Sequence, residues 1–565
     1  MTAATAPAAT PRAWRVPRPA GPARLLRIEL RRSPMLWMLP LLAALFWLSA
    51  YRTAMNNPPF WTIRAATLQA NAMLAFAPLL AGVCAWAGSR DGRRGLVDLV
   101  SVTAAPRWAA QLATWAAATI WAEALYLAGV AVVYGITAHQ GAWGGPLWWP
   151  VAVGVAMIAA SCALGFAAGL LLASRFTAPL AALVMFLALA GGAFALQDNV
   201  RYAQIWPLSV QGPFPTDSYG IFYPYLPDLA IAQVMFLAGL AAAVLGVLGL
   251  PAGAGSRWLR AAAAAVTVAG LAAAGTAIGL AGTARVEPHG IVIPALHDAA
   301  SDRPVPYTPV CSRGAVPVCL QPAYRAYLPD VTAALGPLLR QLAGLPGAPA
   351  RVTQVVVTTV TSARENGIGF GGPVISGHPP VLYLPLSGLT LPGEGNTPAA
   401  SFTANLRGQY GTAIVNDLVG LPSGSPAGTG VTGVNFELGP RHAAQFAIAN
   451  ALDQVLRLTG PWSVRPGARP PSRSLPAGTG ANGAAASGSG TLAGSGAGAG
   501  SGAGAGSGAG AGSGAGAGGG AAPSAAQQQA AVDRFAALSA AARHAWLLTH
   551  LAALRAGRIA LSEIP

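Results

Sequence analysis

The chain has 565 residues, 53% of them hydrophobic and only 9% charged, with a mean hydropathy of +0.49. A soluble protein carries roughly a quarter charged residues, so this composition excludes an ordinary soluble globular chain and points to a polytopic membrane protein. The net charge of +16 comes from arginines clustered at the ends of apolar runs. That is a pattern of orientation signals beside anionic headgroups, and it argues against nucleic acid as a partner.

Residues 1–23 show no signal-peptide cleavage pattern and read as a retained, disordered cytoplasmic tail. The segment RLLRIELRRSPMLW that follows sets Arg24, Arg27 and Arg31 on one helical face, with Leu25, Leu26 and Leu30 opposite. An amphipathic basic helix over 24–34 suits a membrane interface. Apolar runs then recur at 35–52, 66–88, 109–135, 149–173, 178–197, 229–250 and 261–283. Each supplies roughly 20 helical residues, enough for a ~30 Å hydrocarbon core, and helices are required there because lipid satisfies no backbone groups. The reading is a seven-helix domain over 35–284.

Orientation follows from arginine. Arg12, Arg15, Arg18, Arg24, Arg27, Arg31, Arg32, Arg90, Arg93, Arg94, Arg107, Arg175, Arg257 and Arg260 fall on one side of the runs, against Arg52, Arg64 and Arg201 on the other. The positive-inside rule therefore predicts a cytoplasmic N-terminus in the plasma membrane, with everything after about residue 284 extracytoplasmic. The aromatic, proline-rich loop 198–228 suits an outer interface. Cys84 and Cys162 lie within apolar runs and read as small core hydrophobes.

Between the second and third runs lies a charged island, RDGRRGLVDLVSVTAAPRW (90–108). Leu96, Leu99 and Val100 share a helical face, Asp98 points elsewhere, and Pro106 ends the segment. A short cytoplasmic helix flanked by Arg93 and Arg94 could grip a soluble partner; a solvated loop facing the headgroups is the other reading. Glu123 is the one acid well inside a run. Intramembrane acids often serve function, so it stands as a candidate on a substrate path, or as a group with a structural partner near the interface.

Residues 285–475 read as an extracytoplasmic α+β domain. RVTQVVVTTVTS (351–362) and VLYLPL (381–386) have strand composition, while 322–345 and 440–458 have helical spacing, the first broken at Gly336-Pro337. Gly367, Gly369 and Gly372 match GxGxxG, but Pro373 denies the helix that motif needs, leaving a turn. The seven histidines form no metal-ligand set, and no catalytic group or cofactor site is expected. Cys311 and Cys319 would lie in an oxidising compartment, where a disulfide closing the short loop is favoured over two free thiols. Residues 476–522, rich in Gly, Ala and Ser, read as a flexible spacer of roughly 38 Å root-mean-square span. Residues 523–565 are expected to form two helices, or one kinked helix, folding back on the outer domain or lying in the interface.

The order of these features resembles permease subunits of the ABC-2 type. Those carry an elbow helix before the first span, and between the second and third spans a charged step, a glycine, a Leu-rich helix and a Pro-Arg step. Here Arg90-Asp91, Gly95, Leu96 through Val100, and Pro106-Arg107 have that shape, although the family's glutamate after the glycine is absent and Asp98 is the nearest acid. The resemblance covers about residues 24–250. It implies that Arg24, Arg27 and Arg31 belong to an elbow helix. It also implies that Arg93, Arg94, Leu96, Asp98, Leu99 and Val100 form a coupling helix that docks on a separate ATPase subunit. All 34 basic residues are arginine, so no GxxxxGK[ST] phosphate loop occurs here and ATP hydrolysis would belong to that other chain. The resemblance further implies export of a substrate, with this chain as a homodimer or paired with a second permease. The other functional class consistent with the sequence is a membrane-anchored extracytoplasmic binding or sensor protein.

Overall fold

The structure is a computed structural model, and it describes residues 22–93, 106–195, 205–206, 221–252, 256–287, 290–355, 374–386, 391–393, 397–421, 442–456 and 523–565. The chain divides into two compact units, Met1–Ile414 and Val415–Pro565. The expected N-terminal tail and the spacer 476–522 lie outside the described residues.

The first unit opens with α1, Pro22–Arg32, whose Arg24, Arg27 and Arg31 are exposed while Leu25, Leu26 and Leu30 are half-buried. Then come α2 (Met35–Met55), α3 (Trp61–Gly88), α4 (Arg107–His139), α5 (Trp148–Leu171), α6 (Thr177–Ala195), α7 (Asp228–Ala252) and α8 (Arg257–Gly282). Six of them, all except α6, are long and apolar enough to cross a membrane. The expected run 178–197 is seen as α6, whose 19 residues rise about 28 Å at 1.5 Å per residue and reach the edge of the described residues; its apolar stretch within them is Thr177–Gly191. Large side chains such as Trp37, Leu48, Leu183, Leu187, Val268 and Leu271 face outward, the arrangement a lipid surround allows and water penalises.

The helices meet along seams of small residues. A Cβ built on Gly165 would lie 2.1 Å from the Ala81 carbonyl oxygen, and one on Gly169 2.0 Å from that of Ala85. So α5 lies directly on the α3 backbone through a small-xxx-small stripe, the contact that lets helices associate where lipid removes the hydrophobic drive. α7 and α8 meet the same way, Gly239 and Gly270 each facing the other helix's backbone. Behind these seams Phe76, Tyr126, Leu68, Cys84, Ile158 and Cys162 are buried together.

After α8 the chain makes a hairpin, β1 (Arg285–Glu287) with β2 (Gly290–Val292), whose Ile291 packs with Ala277 and Ala281 of α8 and Leu229 of α7. A five-stranded mixed sheet follows in the order β3-β4-β5-β7-β6: Val310–Cys311, Val318–Leu320, Arg351–Gln354, Val381–Leu384 and Val374–Ser376. β4, β5 and β7 run parallel, and β3 and β6 are antiparallel edges. The central strands β4 and β5 are largely buried, and β4 packs against one helix, α9 (Leu328–Leu342). The expected break at Gly336-Pro337 does not occur: Pro337 sits inside α9. Val331, Ala334, Leu335, Leu338, Leu339 and Leu342 recur at helical spacing on both sides of it and are buried, and that burial outweighs the one hydrogen bond a proline removes. α10 (Ala399–Asn405) adds Phe402 to this core. The strand expected over 351–362 is seen as β5, its remainder lying largely outside the described residues, as does GxGxxG at 367–372.

α11 (Thr412–Val419) carries the chain across the division at Ile414. In the second unit α12 (Ala443–Leu456), α13 (Ala525–Ala537) and α14 (Ala540–Arg555) pack together. Ser524 and Gln527 form a capping box at the start of α13, and Ser539 caps α14. These two caps explain why the C-terminal segment forms two helices instead of one. Buried Gln445 on α12 donates to the carbonyls of Leu554 and Arg555 at 3.0 and 3.2 Å, terminating α14.

Candidate functional site

One end of the helix bundle gathers the arginines flanking the charged island. α3 ends at Gly88 against Phe166 and Leu170 of α5, and Gly92 lies against Ala173. Trp108, at the start of α4, donates through Nε1 to the Leu245 carbonyl at 3.0 Å, and its ring lies beside Gly249 of α7. α1 docks here too: Trp121 Nε1 donates to the Leu30 carbonyl at 3.0 Å, and Arg90 approaches Glu29 at 3.9 Å. Arg93 folds back on α3, donating through Nη2 to the Trp86 carbonyl at 3.1 Å and lying over its ring. The first flank of the island is therefore held beside α1 through Arg90 and Glu29, and the second against α7 through Trp108, while α1 itself is bonded further along α4 at Trp121. Of the expected docking residues, Arg93 is in this cluster, while Arg94, Leu96, Asp98, Leu99 and Val100 lie outside the described residues. Arg24, Arg27 and Arg31 line the exposed side of α1, adjacent to it.

The opposite end carries the sheet. Asp228, at the start of α7 and buried, accepts through Oδ2 from the Ile293 amide at 3.0 Å and pairs with His297 Nδ1 at 3.2 Å; His297 Nε2 meets Asp302 at 2.9 Å. Gln321 Nε2 donates to the Ile221 carbonyl at 3.2 Å, and the Val305 amide to that of Phe222 at 2.8 Å. Phe60, preceding α3, packs against Tyr324 with ring centroids 5.1 Å apart. The sheet is thus stitched to the ends of α3 and α7. Cys311 and Cys319, opposite each other in the β3–β4 register, are joined by a disulfide over which Arg351 lies, its Nε 3.3 Å from Cys319 Sγ.

This end also holds Arg64, one of the three arginines that the sequence places on the side away from the basic cluster; it is 1% exposed in the first turn of α3. Its Nη2 reaches Gln140 Oε1 at 3.4 Å, whereas its Nε and Nη1 are buried without a hydrogen-bond partner. Nothing local in the sequence announces this burial, because Gln140 arrives from the far end of α4. Glu123 is half-buried on α4, and no ion pair among the described residues includes it. Among the described residues no group of three His, Cys, Asp or Glu side chains could hold a metal ion.

The class of protein these features define is a helical membrane protein whose bundle carries a basic end and, opposite it, a small mixed sheet. Compared with known protein families, with curated proteins and with solved structures, the chain gives no match.

Proposed function

We propose that this chain is the membrane-spanning permease subunit of an ABC-2-like transporter, moving a substrate outward with ATP hydrolysed by a separate ATPase subunit. The observation that carries the proposal is the anchoring of the two flanks of the 90–108 island, one on α1 and the other on α7, at the bundle end opposite the sheet. A coupling helix between those flanks, as the sequence predicts, would transmit a push from a soluble partner into the packing of α3, α4 and α7. Seams closed by glycine against backbone favour discrete packings over continuous deformation, as a rocking transport step requires. The arginine asymmetry supports a cytoplasmic basic end in the plasma membrane, and the Cys311–Cys319 disulfide supports an oxidising compartment for the sheet. The subunit would work as a homodimer or with a second permease. The test is co-purification: Leu96→Asp with Leu99→Asp should abolish recovery of an ATPase chain from mild detergent while leaving membrane insertion intact. Unchanged recovery refutes the docking role.

A second reading, a membrane-anchored extracytoplasmic binding or sensor protein, draws on the stitching of the sheet to the ends of α3 and α7. Recovery of no ATPase with the wild-type chain, together with ligand binding by the sheet domain, would favour it.

A further inference from the structure

The first turn of α3 concentrates buried hydrogen-bond donors with nothing to receive them. Arg64 Nε and Nη1, Trp61 Nε1 and Thr62 Oγ1 are all buried without a partner. The helix begins after Phe60 with no side-chain cap, so its leading amides add to the same excess. Side chains of a helix lean toward its N-terminus, which carries the Arg64 guanidinium back over that uncapped turn. Among the described residues no carboxylate pairs with it.

A guanidinium stays protonated at any physiological pH. Burying one with two N–H edges unsatisfied is among the most costly arrangements a fold can hold, and such a charge persists where something pairs with it. The chemistry of the absent partner can be read from the donors. Unsatisfied N–H groups on Trp61 and Arg64, three residues apart on one helical face, together with a positive charge and a helix N-terminus, select an oxyanion and reject a cation. Arginine in particular fits the planar carboxylate and the phosphate group. The surroundings are aromatic: Trp61 meets Tyr134 edge-on at 5.3 Å, and Phe60 and Tyr324 lead on to Tyr327. Such walls exclude water, strengthen the charge interaction and suit a ligand with an apolar body.

We infer that Arg64, with the uncapped first turn of α3, is the binding site for the carboxylate or phosphate group of an amphiphilic or small organic anion. This goes beyond the permease reading and does not depend on it; if both hold, the site lies at the end of the substrate path nearest the sheet.

The test uses the full chain in neutral detergent, following thermal unfolding while inorganic phosphate, acetate or phosphatidylglycerol mixed micelles are titrated against chloride at matched ionic strength. The expected result is a saturable rise of several degrees in melting temperature, absent in Arg64→Gln. Without anion, Arg64→Gln should melt at or above the wild type, because it removes an unpaired buried charge; a structural arginine would give the opposite. If Arg64→Gln does not fold, Arg64→Lys decides. It keeps the charge but loses the fork, and half-saturation should need at least ten times more anion. Shifts with phosphate or acetate identify a soluble anion as source, and shifts with phosphatidylglycerol alone a lipid headgroup. The inference is overturned by equal shifts in Arg64→Gln, by unchanged half-saturation in Arg64→Lys, or by no saturable shift with any of the three probes. An ATPase co-purification that fails leaves these outcomes unaffected.

Discussion

Replacing Gly169 by alanine tests the packing of the bundle most directly. The added Cβ would sit 2.0 Å from the Ala85 carbonyl oxygen and 2.8 Å from its carbon, where contacts under 3.0 Å are essentially never seen. The obstacle is backbone, so no rotamer change relieves it, and α5 must retreat from α3 by about 1 Å (3.0 less 2.0). A retreat of that size loosens the whole seam. Forfeiting a fraction of each dispersion well along it puts the cost at the upper end of the overpacking range, about 3 kcal/mol. On the scaling for domains of 150–250 residues this lowers the melting temperature by about 6 to 12 °C, and by less for a larger unit. Gly165→Ala, at 2.1 Å from Ala81 O, should behave alike. The double variant should lose clearly less than the sum, because one retreat of α5 accommodates both methyl groups. Gly191→Ala and Gly275→Ala, which meet nothing within 4 Å, should instead gain up to about 1 kcal/mol from reduced backbone freedom. The assay is thermal unfolding in detergent by tryptophan fluorescence, with size exclusion as a check on folding. A Gly169→Ala chain melting within a degree of wild type, or no better resolved from Gly191→Ala, refutes the seam.

Three further outcomes can be checked. Asp228→Ala should leave the Ile293 amide buried and unpaired at a cost of about 1–3 kcal/mol, read as faster hydrogen exchange across 291–293. Tyr410 donates to the Pro385 carbonyl at 2.5 Å, and burial pushes its phenol up to about 12. A raised phenol keeps its stabilising neutral form below pH 10, and the benefit is lost as pH rises from 10 through about 12. Tyr410→Phe should therefore flatten stability across that window, monitored by tyrosinate absorbance and unfolding, and an unchanged alkaline limb refutes the burial. Cys319→Ala opens the loop closed by Cys311–Cys319, eight residues apart, and should cost about 2.5 kcal/mol by loop entropy; addition of reductant to the wild type should match it in denaturant titration.

Much of the fold was legible because it depends on neighbours in the chain. The faces of α1 follow from a helical period that sets Arg24, Arg27 and Arg31 apart from Leu25, Leu26 and Leu30. Apolar runs of membrane length became helices with ends close to those read from composition, since a backbone away from water must satisfy itself internally.

Tertiary structure alone decided the rest. Gly169 and Gly191 sit in equally apolar helices, yet only the first lies on another helix's carbonyl. Pro337 stays helical because residues on both sides of it bury against a sheet whose strands come from elsewhere in the chain. Asp228 and His297 meet across 69 residues. Arg64 by sequence is one arginine near the end of an apolar run. It becomes a buried, half-satisfied charge because α4 delivers Gln140 from 76 residues away and aromatic residues close around the first turn of α3. Local periodicity fixes which face of an element is apolar, whereas the cost of a buried charge depends on every group that packs around it, and those groups are assembled only by the fold.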